Sequence, residues 1–188
     1  MDKSKTFENE VALIEDERLR AFINECLETA PEYFYTMPAS TTGKYHPEYC
    51  LGEGGLVRHT KAAVKIANDL LSIEMYSKLA ERKDEIIAAL ILHDSVKKGM
   101  GGESYTTTDH PLQASKLVKE VANRKGVYDP QKMQFICSLI ETHMGQWTRD
   151  FKTGVEVLEK PKTAEQKFVH QCDYLASRKY LTVNLEEN

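Results

Sequence analysis

The chain has 188 residues, 41% of them hydrophobic and 29% charged, with a formal net charge of −4. That length suits one domain with a substantial core, and the balance is that of a globular protein. Lys and Arg are scattered through acidic segments, which leaves no basic stripe for duplex DNA. The apolar runs are too short for a bilayer, and the N-terminus lacks a signal-peptide core. Cys26, Cys50, Cys137 and Cys172 show no C-x-x-C spacing, so they read as buried free thiols in a reducing, cytoplasmic setting.

Apolar spacing predicts a first helix over about Glu10 to Glu28, with Val11, Ile14, Phe22, Ile23, Cys26 and Leu27 on one stripe and Pro31 beyond its end. A long irregular segment follows, from Ala30 to Gly55, holding three prolines and four glycines between aromatic residues. Its Tyr33-Phe34-Tyr35 run reads as core, and long ordered loops in compact domains are often functional.

A second helix starts near Gly55 and places His59 on its inward face with Leu56, Ala63, Ile66 and Leu70. A third runs from Glu81 to Val96 and brings His93 and Asp94 onto adjoining inward rows before Gly99, Gly101 and Gly102. The fourth begins at Thr108-Asp109-His110-Pro111, where Thr108 or Asp109 can cap and Pro111 fits the first turn. After Gly126 and Pro130, a fifth carries Met133, Ile136, Cys137, Ile140 and His143 along one side and ends at Gly145. The sixth, Thr163 to Ser177, clusters Phe168, Val169, Cys172 and Asp173. No repeat or linker divides the chain. The expectation is one all-α domain, a single compact helical bundle.

The chemistry lies in the polar residues among these apolar stripes. Carboxylates are seldom fully buried unless paired or bound to metal. Asp94 and Asp173 would repel one another if they converged beside inward histidines without a cation. A divalent ion removes that cost and lowers the pKa of water toward neutrality. Lys97, one turn after His93-Asp94, suits a phosphate oxygen beside the ion. His46 and His170 read as structural, His170 with the option of orienting a ligand. Trp147, the sole tryptophan, falls in a loop where it could stack on a base. Arg149, Arg178 and Lys179 are candidate phosphate contacts.

An ordered set of motifs covers residues 50 to 180. It comprises Gly54-Gly55-Leu56-Val57-Arg58-His59-Thr60, His93-Asp94-x-x-Lys97, Asp109-His110-Pro111, Thr142-His143-Met144-Gly145 and Asp173-Tyr174-Leu175-Ala176-Ser177-Arg178. The set resembles the HD superfamily of metal-dependent phosphohydrolases, and its layout is most similar to the HD modules of exoribonucleases and of HD-GYP phosphodiesterases. The resemblance implies an HD-type helical bundle in which His59, His93, Asp94 and Asp173 hold one divalent ion (Mn, Fe, Co, Ni, Zn or Mg). In two-metal members Asp94 would bridge to a second ion on His110 and His143. The chain departs from those relatives at Met144, where they usually carry a second histidine. A thioether is a poor ligand for hard ions, so a weaker second site is expected. The Gly-Tyr-Pro signature after His143 is also missing.

The function implied is hydrolysis of a phosphoester of a nucleotide, short oligonucleotide or cyclic nucleotide by metal-activated water. Asp94 and Lys97 would be catalytic, with Arg58, Trp147 and Arg178 as substrate contacts. The expected partner is a phosphorylated small molecule or short nucleic acid, with neither membrane nor duplex DNA involved. The alternative is a degenerate HD module that binds nucleotides or regulates.

Overall fold

A computed structural model describes residues 3–40, 42–103, 105–125 and 129–181. In chain order its α-helices are α1 (Lys3–Thr6), α2 (Glu8–Val11), α3 (Glu17–Thr29), α4 (Tyr33–Thr36), α5 (Gly55–Leu71), α6 (Ser77–Ala80), α7 (Lys83–Leu92), α8 (His110–Lys125), α9 (Pro130–Glu141) and α10 (Ala164–Ala176). Among the described residues the only extended pairing is an isolated antiparallel bridge between Arg149 and Glu156. The expected all-α bundle is therefore present.

α7 is its axis. Every residue from Glu85 to Leu92 is buried, as befits a helix apolar on all sides. α3, α5, α9 and α10 all pack against α7, while α8 packs on α9 and α3. Below them Phe7, Phe34 and Tyr35 form an aromatic knot with ring centroids 5.0–6.4 Å apart. The Tyr33-Phe34-Tyr35 run thus joins the core, as its composition indicated. All four cysteines are free and buried. Burial pushes the Cys50 thiol up to about 11 and that of Cys172 to about 12, which makes them poor nucleophiles.

The first helix is not continuous. It breaks at 12–16, between α2 and α3, because a better set of hydrogen bonds is available there. The backbone amides of Glu15 and Asp16 donate to the Asp84 carboxylate at 2.9 Å each. The Asp16 side chain then caps α3 through the amides of Arg18 and Leu19, a standard N-cap arrangement. Ile14 still faces the core, so the apolar spacing was real while the helical continuity was not.

The third helix is likewise shorter than its pattern, ending at Leu92 and leaving 93–102 in turns. α9 opens on Pro130 with Asp129 as its cap and stops two residues short of His143. Gly126 lies outside the described residues.

The irregular 37–54 segment is held at the entrance of α5. Leu56 N–H donates to Met37 O at 3.0 Å, and Ala39 N–H donates to Cys50 O at 3.0 Å. Gly55 permits this approach, because a Cβ there would sit 2.2 Å from Cys50 O and 3.1 Å from the Cα of Pro38. Gly55→Ala is therefore expected to push the loop off the helix and lower stability by roughly 1–3 kcal/mol, the usual cost of overpacking. Urea unfolding checks this. An unchanged midpoint would mean that the loop withdraws freely and does not brace α5.

Candidate metal centre

Five separate segments converge on one buried point. His59 comes from the second turn of α5, and His93 and Asp94 from the turn just past α7. His110 is the first residue of α8, His143 follows the end of α9, and Asp173 lies in the last turn of α10. The side chains of His59, His93, Asp94, His110 and His143 are 0–2% exposed, and that of Asp173 is 18% exposed. All six candidate ligands from the sequence are thus brought together.

The contacts fall into two sets that share Asp94. On one side His59 Nε2 lies 2.9 Å from Asp173 Oδ1 and 3.8 Å from Asp94 Oδ2. His93 Nε2 lies 3.5 Å from each of those oxygens. On the other side Asp94 Oδ1 is 3.1 Å from His110 Nε2 and 3.7 Å from His143 Nε2, and the two imidazole nitrogens are 3.2 Å apart. One carboxylate therefore presents an oxygen to each set.

Backbone carbonyls assign the tautomers. His93 Nδ1 donates to Leu90 O at 2.7 Å, His110 Nδ1 to Thr107 O at 2.7 Å, and His143 Nδ1 to Ile140 O at 2.8 Å. With Nδ1 carrying the proton, each neutral ring turns a bare Nε2 lone pair inward. The second set is then three acceptors facing one another, Asp94 Oδ1 and two Nε2 atoms, with no donor to share. Asp94 Oδ1 and His93 Nε2 are both buried without an aligned hydrogen-bond partner. Acceptors crowded in this way call for a cation, and three overlapping groups of these residues have their ligand atoms within 4.8 Å of one another. Nitrogen and carboxylate oxygen donors suit a divalent ion of the first transition row or Mg²⁺.

Protonation adjusts to the crowding. Burial alone would raise the Asp94 pKa, but the Lys97 ammonium and the neighbouring histidines hold it well below the usual carboxylate range. Asp173 behaves alike, the cost of burial being outweighed by the adjoining His59 and His93 rings. For His93, burial favours the neutral ring, yet the Asp94 and Asp173 carboxylates lift its pKa above the ordinary value. His143 is pushed down to about 3 by burial and then by His93 and His110.

The remaining expected site residues are spread around this cluster. Lys97 donates to Asp94 Oδ2 at 2.5 Å and also lines a cleft of about 1470 Å³ beside the cluster. Ser40, His46, Lys98 and Thr107 share that wall, and Tyr105 and Phe151, 74% and 97% exposed, lie on its rim. Arg58 does not serve the cluster. Its guanidinium donates to the carbonyls of Tyr49 and Leu51 and so clamps the loop, because its position beside His59 on α5 points it outward. Trp147 and Arg178 both reach Tyr174, next to Asp173. Arg149 pairs with Glu156 at 3.6 Å instead.

Two histidines read as structural stand closer to the centre than the sequence suggested. His46 packs against the His59 ring at 5.6 Å, its Nδ1 is buried without a partner, and burial beside His59 and Lys97 lowers it to about 4. Its position beside Pro47 in an irregular loop carried no periodic signal. His170 Nδ1 donates to His143 O at 2.7 Å and so fixes the turn that presents His143. Gly145, at φ +63°, gives it room, since a Cβ there would lie 2.3 Å from the His170 ring.

Without metal, the histidine shifts have opposite signs. The unfolded chain takes up a proton at His143 below about pH 6.5, which the folded protein refuses down to about 3. Stability therefore falls on acidification through that window, by up to about 1.4 kcal/mol per pH unit. The raised His93 pKa adds stability that is present below about 6.5 and lost as pH rises through its folded value. Chelator-treated protein should thus be most resistant to urea near pH 6.5, and His143→Leu should make the acid limb shallower, leaving the part that His46 contributes. An acid limb of equal slope in that variant would contradict the assignment.

Comparison with curated proteins and with solved structures returns no match. The sequence profile of the HD domain matches residues 56–178, a span that opens three residues before His59 and closes five after Asp173. The convergence of His59, His93-Asp94 and Asp173 on one buried point, together with that match over most of the chain, places the protein in the HD domain family, whose members are generally metal-dependent hydrolases.

Proposed function

We propose that the protein is a metal-dependent phosphohydrolase that cleaves a phosphoester of a nucleotide, a short oligonucleotide or a cyclic nucleotide. The observation that carries this reading is the sharing of Asp94 between two facing sets of buried acceptors, at 3.1–3.8 Å from four imidazole nitrogens. His59, His93, Asp94 and Asp173 would hold one divalent ion, and Asp94, His110 and His143 a second. When bound, such ions lower the pKa of water and neutralise charge on a phosphoryl group.

The chain's own residues supply the rest. Asp173 is the most exposed ligand, so the cluster opens on its side and toward the cleft. Lys97 has an ammonium that can leave Asp94 for a phosphoryl oxygen once a cation compensates the carboxylate. His46, neutral above about pH 4, lies where it can hydrogen-bond to a leaving oxygen. Thr107 and Ser40 offer hydroxyls along the same wall. The second set stands without Met144 as a ligand, so its ion is the more easily lost.

Asp94→Ala should abolish turnover and metal retention together, because water cannot replace the charge of a bridging carboxylate. Lys97→Ala should keep its metal and lose on the order of 10²-fold in turnover, the scale of one well-placed contact to a developing anion. The assay is a panel of mononucleotides, cyclic nucleotides, short RNAs and a chromogenic phosphodiester, run across Mn²⁺, Mg²⁺, Co²⁺, Ni²⁺ and Zn²⁺ with metal analysis alongside. Bound metal with no turnover on any phosphoester would sink the enzymatic reading and leave a nucleotide-binding HD module.

A further inference from the structure

Outside the cluster, one surface combines aromatic and cationic groups in an unbroken series. Trp147 stacks on Tyr174 with ring planes 13° apart and centroids separated by 5.8 Å. The Arg178 guanidinium lies 4.3 Å from the Tyr174 ring and 5.2 Å from the Tyr45 ring. Lys44 then sits 5.1 Å over Tyr45. The order is Trp147, Tyr174, Arg178, Tyr45, Lys44.

The ends of this strip are open. Trp147 is 45% exposed and Tyr45 is 52% exposed, an unusual investment of large rings at the surface of a domain with a well-filled core. Neither Arg178 nor Lys44 has a carboxylate partner among the described residues. Arg178 instead donates from Nε and one terminal nitrogen to Ser177 Oγ, which fixes the plane of the fork. A fixed guanidinium held against two rings and without a carboxylate partner is poised for a phosphate.

The strip also meets the metal centre at two points. Tyr174 directly follows Asp173, the ligand on the open side. Tyr45 directly precedes His46, which packs on His59. Trp147 touches the His170 ring at 5.9 Å, and His170 in turn holds the carbonyl of His143. A phosphodiester seated at the centre would therefore have the strip beside it.

We propose that the exposed Trp147 and Tyr45 rings take bases and Arg178 a phosphate, so that with Tyr174 as the support between them they form a track for single-stranded oligonucleotide, holding the nucleotides next to the phosphodiester at the metal centre. The proposal rests on the phosphohydrolase reading of that centre and narrows its substrate to a strand of more than one nucleotide. Stacking on aromatic faces is tolerant of sequence, because every base has a π face, and interleaved cations follow the backbone. A mononucleotide would leave most of the track unused.

Trp147 is the only tryptophan, so its fluorescence reports on the track directly. The full chain, stripped of metal by chelator so that nothing is cleaved, is titrated with a six-nucleotide oligoadenylate. The parallel arms use an abasic strand of equal length and adenosine monophosphate. The oligoadenylate should quench the emission saturably, while the abasic strand leaves it unchanged and binds at least tenfold more weakly. With a fluorescein-labelled strand followed by anisotropy, Trp147→Leu and Tyr45→Ala should each lose about tenfold in affinity, and Trp147→Phe should retain most of it.

Equal binding of the abasic strand would overturn base stacking. Equal affinity for adenosine monophosphate would overturn the strand. No saturable binding of any kind would remove the track. None of these readouts needs turnover, so a protein that binds the strand but cleaves no phosphoester would refute the hydrolase reading while leaving the track in place.

Discussion

A carboxylate with both oxygens buried and too few donors around it is the constraint on which this architecture turns. Removing Asp94 from water costs several kcal/mol, and its partner Asp173 adds a second negative charge a few ångströms away. In the protein itself Lys97 and the surrounding histidines compensate them. A divalent ion would do so more completely and would release Lys97. With such an ion bound, the charge balance of the cluster would pass from protons to metal, and a cation would be freed at the mouth of the cleft.

The helix termini make this arrangement affordable in backbone terms. Helices leave carbonyls without partners at their C-terminal ends. Here the last turns of α7 and α9 use those carbonyls, Leu90 O and Ile140 O, to receive the Nδ1 protons of His93 and His143. One hydrogen bond thus finishes a helix, fixes a tautomer and aims a lone pair. His110 obtains the same result from Thr107 O at a helix beginning. Placement of ligands at the ends of helices, and burial of α7 on every side, are two aspects of one design.

Much of this was legible in the sequence, for identifiable reasons. His59 and Asp173 share apolar faces with a 3.6-residue period, and a polar residue on such a face stands out. His93-Asp94 ends the most apolar run in the chain. Helix ends were harder, because apolar spacing continues through 93–96 and through 142–143 even though the backbone has already turned. The break at 12–16 depends on Asp84, about seventy residues away, and local pattern carries no trace of it. His46 reads as structural in the sequence, and most of the cleft wall gives no signal there, since irregular segments have no period. Arg58 is held by the loop because neighbours in sequence on a helix face different ways: the residue beside a ligand is directed outward.

The turn from Thr148 to Glu156 stands apart from all of this. It is closed by its own bonds, Asp150 N–H to Val155 O and Gly154 N–H to Asp150 O, both 2.8 Å, and by Asp150 Oδ1, which receives the amides of Lys152 and Thr153. A single side-chain bond, Thr108 to Asp150 Oδ2 at 3.0 Å, anchors it near the start of α8. A self-contained hairpin of this kind can be lengthened, shortened or exchanged without moving any ligand of the centre. Descent with modification could therefore rewrite the rim of the cleft, Phe151 first, and redirect the protein to new molecules while the chemistry beneath stays unchanged.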